Sequence, residues 1–300
     1  MTSKEQITTV KGGLLIRAPA KINLSLLVAG KRPDGFHQIE TIMAKVNFYD
    51  EILVEQGRKA GIELVCEGHC WVPRGKENLI YRAAETLLDS CGCVADIKVT
   101  LTKNIPAGSG LGSASSDAAA TLIGLNKYLN IGLPKAQLVK LSTQLGSDVP
   151  FFLDGPLAFC RGKGEKIKKL DENFNFTALL ILPDVSVSTK EVYANYKTDW
   201  GLYERLSDRI KRLIEKNRID LVTKMCANML EKSCFYLHKE LAEFKAKIEY
   251  LGIKPVCLSG SGSSFFYIFD DVDEKKAEEY HHRLTEILGC KSVIVSNNRW

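Results

Sequence analysis

Residues 106–116 read Pro-Ala-Gly-Ser-Gly-Leu-Gly-Ser-Ala-Ser-Ser. Before them lies the alternating segment 97–102; after them a helical segment runs through Leu129, with Leu122, Leu125 and Leu129 as its apolar stripe. A glycine-rich turn between a strand and a helix limits what a chain can become. Glycine tolerates positive φ and lets backbone come close to a ligand. The helix that follows offers unpaired N–H groups and the positive end of its dipole. Together they make an anion site sized for a di- or triphosphate. Ser113, Ser115 and Ser116 add hydroxyls, one of which can reach a magnesium ion. A serine-capped glycine turn with no ligand is the competing reading of any short glycine motif, and the strand–loop–helix setting weighs against it. No Gly-Lys-Ser/Thr closes the loop, so it is not the usual NTPase P-loop. Ser113 stands where a dinucleotide fingerprint needs its third glycine. The chain has no His-Arg-Asp or Asp-Phe-Gly, which excludes a protein kinase.

The rest of the chain mixes strand and helix periods. Over 14–28, Ile22, Leu24, Leu26 and Val28 alternate with Lys21, Asn23 and Ser25, which sets Lys21 and Asn23 on one polar face. Arg32, Pro33, Asp34 and Gly35 signal a turn. Short strands are expected over 52–55 and 62–66, a helix after Asn78 with Gly92 as its stop, and another from Pro134 to Gly146. Strands over 158–161, 178–182, 256–258, 265–269 and 292–295 flank helical patterns at 190–251 and 273–288. The expected class is α+β. With 300 residues and 45% apolar content, two domains are expected, divided at 157/158 near Gly155 and Pro156: 1–157 and 158–300.

A net charge of +5 suits anionic substrates but equally an ordinary surface. No basic stripe interleaved with aromatics supports a nucleic-acid partner. Nine cysteines at irregular spacing, with no Cys-x-x-Cys pair, support neither a disulfide scaffold nor a zinc site. A reducing compartment fits them best. The N-terminus lacks a signal-peptide core, and nothing approaches the ~18 apolar residues of a membrane helix. A cytoplasmic protein without a membrane partner is expected; oligomeric state stays open.

The stretch 106–116 resembles the ATP-binding motif of the GHMP kinases, a family of small-molecule kinases. Ala18-Pro19-Ala20-Lys21-Ile22-Asn23 resembles the family's N-terminal motif, and Leu258-Ser259-Gly260-Ser261-Gly262-Ser263-Ser264 its C-terminal glycine motif. The three occur in the family's order and span the chain. The resemblance implies an ATP-binding domain, a smaller α/β substrate domain and a site in the cleft between them, with ATP and Mg²⁺ as cofactors. It puts the nucleotide on Pro106, Ala107, Gly108, Ser109, Gly110, Leu111, Gly112, Ser113, Ala114, Ser115 and Ser116, with Asn78 and Leu79 near the adenine and Lys103 near the nucleotide. The 260–264 loop would support the domain interface and the phosphate loop.

Arg32-Pro33-Asp34-Gly35-Phe36-His37, Lys76-Glu77-Asn78-Leu79-Ile80 and Gly146-Ser147-Asp148-Val149-Pro150-Phe151-Phe152 narrow the resemblance. They resemble a branch that phosphorylates the 2-hydroxyl of a cytidine diphosphate-linked polyol in non-mevalonate isoprenoid biosynthesis. The resemblance makes Asp148 the catalytic base and Lys21 its charged neighbour. It assigns Asn23 to the substrate, Phe36 and Tyr193 to stacking on cytosine, His37 to reading its polar edge, and Thr189 to the same pocket. Without the motif, Ser147 and Asp148 would read as helix caps, Lys21 as an edge lysine and Tyr193 as core. The magnesium ligands are not implied. Rival readings are a homoserine- or mevalonate-type member of the family, or a nucleotide-binding regulator without activity; intact Lys21 and Asp148 argue against the latter.

Overall fold

Two long antiparallel strands carry most of the architecture. A computed structural model describes residues 5–68, 70, 72–170, 174–269 and 274–298. β1 (Ile7–Val10) pairs with β2 (Gly13–Lys31), and β2 pairs along nearly its whole length with β3 (His37–Gln56). The Arg32–Gly35 turn joins them. Gly35 takes φ +85°, and the Asp34 carboxylate accepts from both Arg32 and the Phe36 amide, the latter at 3.2 Å. Register shifts at Pro19/Ala20, Asn23/Ser25 and Val28/Gly30 admit a proline into a central strand and change which residues face which side.

β4 (Ile62–Gly68) leads through α1 (Leu79–Cys91) to β5 (Ile97–Lys103), which lies parallel to β4 and antiparallel to β3. Gly92, at φ 60°, ends α1 as expected. The glycine loop then opens α2 (Ser113–Tyr128), followed by α3 (Lys135–Ser142) and the short α4 (Val149–Leu153). β6 (Leu157–Gly162) pairs with β3 and with β7 (Lys166–Lys169). The first sheet is therefore β1-β2-β3-β5-β4 with β6 and β7 branching from β3. A division at 157/158 would cut β6 off from β3, because strand pairing carries the first sheet through Lys169.

The second sheet, β11-β8-β10-β9, is antiparallel throughout. It is built from β8 (Thr177–Leu182), β9 (Cys257–Leu258), β10 (Phe265–Ile268) and β11 (Lys291–Ser296). Its helices are α5 (Thr189–Ala194), α6 (Trp200–Glu215), α7 (Ile219–Thr223), α8 (Glu231–Leu237), α9 (Lys239–Tyr250) and α10 (Glu274–Leu288).

Two cores explain why the middle of β2 is buried on both faces, the polar one included. Ile16, Ile52, Val54, Leu87, Leu122 and Phe151 form one, between the first sheet and α1, α2 and α4. Ile22, Leu24 and Val28 belong to the other, with Leu180, Phe266 and Ile248 of the C-terminal half. Polar bonds also bridge the halves: Leu26 N–H donates to Ala227 O at 2.7 Å, Tyr196 Oη to Val28 O at 2.9 Å, and Ser207 Oγ to Glu40 at 2.6 Å.

The cysteines hold one departure. Cys226 and Cys257 form a disulfide, 31 residues apart in sequence. Sequence spacing does not reveal it, because the fold brings the segment after α7 against β9. The other seven cysteines are free. No helix among the described residues is long and apolar enough to cross a membrane.

Candidate active site

A cavity of about 880 Å³ lies between the two halves. Its floor is the glycine loop, held from behind. Val187 N–H donates to Gly108 O at 3.1 Å, Ser264 N–H to Ser109 O at 3.0 Å and Lys21 N–H to Leu111 O at 2.9 Å. Ser259 Oγ donates to Gly110 O at 3.0 Å. The loop's carbonyls thus turn to the protein. Gly108, Gly110 and Gly112 take φ of 65°, 76° and 69°, the conformation only glycine adopts readily. A Cβ on Gly110 would lie 2.1 Å from Ser259 O. Two glycine loops about 150 residues apart in sequence therefore touch backbone to backbone. Asn228 holds the second in place, its Nδ2 donating to Leu258 O at 2.9 Å and Gly260 O at 2.8 Å.

Lys21 lies beside this floor. Its side chain is 4% exposed, and its amine donates to Asn23 Oδ1 and, at 2.9 Å, to Gly110 O. Asn23 Nδ2 donates in turn to Thr41 Oγ1 at 2.8 Å. Burial pulls the Lys21 pKa down, and the negative charge of Asp148 opposes that pull. Lys21 is therefore no solvated edge lysine. Asp148 sits in the N-cap position of α4, yet its carboxylate makes no capping bond and lines the cavity. The capping alternative does not describe it.

At the other end, Phe36 is 51% exposed and Lys163 Nζ lies 4.7 Å over its ring. The His37 ring is 5.1 Å from Tyr193 and 6.0 Å, edge-on, from Tyr196. Burial and the nearby Lys31 lower the His37 pKa, which favours the neutral imidazole. Thr189 Oγ1 and Ser261 Oγ share a hydrogen bond of 2.8 Å, tying α5 to the second glycine loop.

Lys103 is already engaged. Its amine contacts Asp50, Ser113 Oγ and, at 3.0 Å, Asp117. Burial alone would lower its pKa; the Asp117 and Asp50 charges reverse that and raise it. Burial pushes the Asp117 carboxyl up. Lys103 thus anchors the start of α2 at the cavity wall. Asn78 is likewise committed: its Oδ1 accepts from Ile80 N–H at 2.9 Å, as an N-cap, and its Nδ2 donates to Pro73 O at 2.8 Å.

Of the residues assigned from sequence to catalysis, nucleotide or substrate, Ser116 alone does not line the cavity. It is 1% exposed and its Oγ has no hydrogen-bond partner. One step along α2 turns a side chain by about 100°, so Ser115 faces the cavity while Ser116 points into the core. Sequence reasoning missed Lys163, Met43, Asp117 and the Val72–Pro73 wall. Lys163 lies between Gly162 and Gly164, at φ 80° and 121°; that pair was the available signal.

Family models match both halves of the chain. "GHMP kinases N terminal domain" matches residues 78–156 and "GHMP kinases C terminal" residues 210–284. A 4-diphosphocytidyl-2-C-methyl-D-erythritol kinase of Pelotomaculum thermopropionicum is 38% identical over 269 residues, covering 90% of this chain and 93% of that protein. The chain belongs to the GHMP kinase family. A solved 4-(cytidine 5'-diphospho)-2C-methyl-D-erythritol kinase superposes with TM-score 0.71 at 30% identity, covering 95% of this GHMP kinase and all of that chain. A homoserine kinase from Cytophaga hutchinsonii superposes with TM-score 0.74 at 20% identity, covering 99% and 98%. That second likeness concerns the fold alone. Within the GHMP kinases, the chain groups with the 4-diphosphocytidyl-2-C-methyl-D-erythritol kinases.

Proposed function

We propose that this GHMP kinase transfers the γ-phosphoryl group of ATP to the 2-hydroxyl of 4-diphosphocytidyl-2-C-methyl-D-erythritol, a step of non-mevalonate isoprenoid biosynthesis. One observation carries the reading. A carboxylate not used as a cap, Asp148, and a buried lysine, Lys21, face the same cavity as the glycine loop, and Phe36 and His37 line its other end.

The phosphates rest on the amide side of 108–115 and the N-terminus of α2, since the loop's carbonyls are occupied behind. The adenine lies along Val72, Pro73, Leu79 and Leu101, beside Asn78. The cytosine lies between Phe36 and Tyr193, with His37 at its polar edge; an exposed ring at a cavity mouth gains most from being covered. Thr189 and Asn23 line the path of the polyol. Asp148 accepts the hydroxyl proton as oxygen attacks phosphorus. Lys21 offsets charge on the transferring group. Positioning and electrostatics supply most of the catalysis in phosphoryl transfer.

The residues also fit magnesium. No group of three or more His, Cys, Asp or Glu among the described residues forms a ready-made cage, which suits an ion carried mainly by nucleotide phosphates. With Ser113 held by Lys103 and Ser116 in the core, Ser115 is the serine left to reach it. Bound there, it would neutralise phosphate charge.

An ATP-consumption assay over three alcohols tests the reading. Turnover is expected with the cytidine diphosphate-linked methylerythritol and at least about 10³-fold less with homoserine or mevalonate, since a site built for polar partners rejects ligands that lack them. Faster turnover of homoserine or mevalonate would overturn it.

A further inference from the structure

α4 is too short to hold itself. Five residues close at most one or two internal turns, and its last carbonyls need donors from elsewhere. Lys45, on β3, supplies them. Its Nζ donates to Phe152 O at 3.0 Å and Asp154 O at 2.8 Å, and it lies 5.7 Å from the Phe151 ring. Its own amide donates to Pro156 O at 2.8 Å. The side chain is 1% exposed, a placement that a lysine occupies only when its amine is well partnered.

The sheet register gives this bond a consequence. Lys45 stands directly across from Lys21 in the β2–β3 pairing, and opposed residues of an antiparallel pair share a face. Two lysines on neighbouring strands thus address one short helix. Lys45 grips its C-terminal end, and the charge of Asp148, at its N-terminal end, acts on Lys21. The helix also touches the phosphate floor, because a Cβ on Gly112 would lie 3.0 Å from Phe152 Cζ and 2.9 Å from Lys21 Cγ. All five α4 side chains are buried, so the helix is packed along its whole length.

We propose that Lys45 is a positioning residue for the reaction: by holding the C-terminal carbonyls of α4 it sets where Asp148 meets the substrate hydroxyl. The inference rests on Asp148 as the base. Lys45 does not line the cavity; the bonds of its amine lead to the chemistry through α4. Burial lowers its pKa to about 7; Asp154 opposes this, while Lys135 and Lys169 add to it. A cation beside helix-end carbonyls holds them more tightly than a neutral amine does.

The test uses the full-length enzyme in single-turnover phosphoryl transfer at saturating ATP, with Lys45→Met and Lys45→Gln made in wild-type and Asp148→Asn backgrounds. Met fills the volume but donates nothing; Gln is shorter but keeps a donor. Displacing a catalytic group by about 1 Å can cost up to ~10²-fold. The expected result is a kcat loss of about tenfold for Lys45→Met and a smaller loss for Lys45→Gln, with KM for both substrates within about twofold. In the Asp148→Asn background, either change should cost less than about twofold, because residues acting through one another are not additive. Equal fold losses in both backgrounds, a kcat for Lys45→Met within about twofold of wild type, or Met outperforming Gln would each overturn the proposal. Asp148→Asn alone keeps the two readings apart: a loss under about threefold would remove the base assignment whatever Lys45 does.

Discussion

In the proposed reaction Asp148 takes the hydroxyl proton and Lys21 offsets the charge on the transferring group. Asp148→Asn preserves shape and removes both the base and the charge. A loss of about 10²–10⁴ in kcat is expected, on the order of 3–5 kcal/mol, with substrate affinity nearly unchanged because the lost interaction matters in the transition state. Single-turnover rates measure it. His37 has a different role. Its ring is held beside Tyr193 and its pKa is lowered by burial and Lys31; in the proposed complex it presents neutral imidazole to the base edge. His37→Ala should lower kcat/KM for the cytidine substrate by about 1–3 kcal/mol and narrow the preference over a uridine analogue. Equal kcat/KM in variant and wild type would remove His37 from base recognition.

Among the elements, the two glycine loops are bonded to each other, Ser264 N–H to Ser109 O and Ser259 Oγ to Gly110 O. Gly110 sits at φ 76° with Ser259 O where its Cβ would be. Gly110→Val must therefore push the loops apart as well as adopt a strained backbone, at about 1–3 kcal/mol for the strain alone. ATP affinity, followed by titration calorimetry, should fall by more than about tenfold, while affinity for the cytidine substrate changes little. Unchanged ATP affinity in a folded variant would contradict the loop's role. Both loops were legible in sequence because close backbone approach leaves glycine little alternative. The length of β3 was not legible, and a strand was read only at 52–55. Glu40, Lys45 and Asp50 interrupt the alternation upstream, and their partners, Ser207 and Lys211, the α4 carbonyls, and Lys103, lie far along the chain. A charge whose partner is unseen reads as surface. Ser116 failed for the opposite reason: its motif was read as a unit, although the helix turns each residue to a different side. Lys163 was missed because its flanking glycines signal a turn but not what the turn faces; the fold sets it over Phe36.

The whole molecule carries buried charges that make its stability depend on pH. Lys45 titrates at about 7 in the folded protein and near its ordinary 10.5 when unfolded. Between those values the unfolded chain binds more protons, so this group makes stability rise with pH from about 7 to 10.5, and it contributes no slope below 7. Denaturant unfolding across that window should therefore show a steeper rise for wild type than for Lys45→Met; parallel profiles would mean that Lys45 is not held at the depressed value. The larger claim is that one cavity between the two halves takes ATP and a cytidine diphosphate-linked polyol together, with the reacting hydroxyl at Asp148. Kinases named for different acceptors share this fold, so fold similarity does not decide the acceptor; the geometry of the filled site does. The most direct test is a crystal structure of the enzyme with a non-hydrolysable ATP analogue and 4-diphosphocytidyl-2-C-methyl-D-erythritol, measuring the distance from the Asp148 carboxylate to the 2-hydroxyl. The account predicts hydrogen-bond reach, about 2.6–3.2 Å, with the phosphates on 108–115 and cytosine against Phe36. A 2-hydroxyl beyond that reach with no bridging water, or a cytosine bound away from Phe36 and His37, would contradict it.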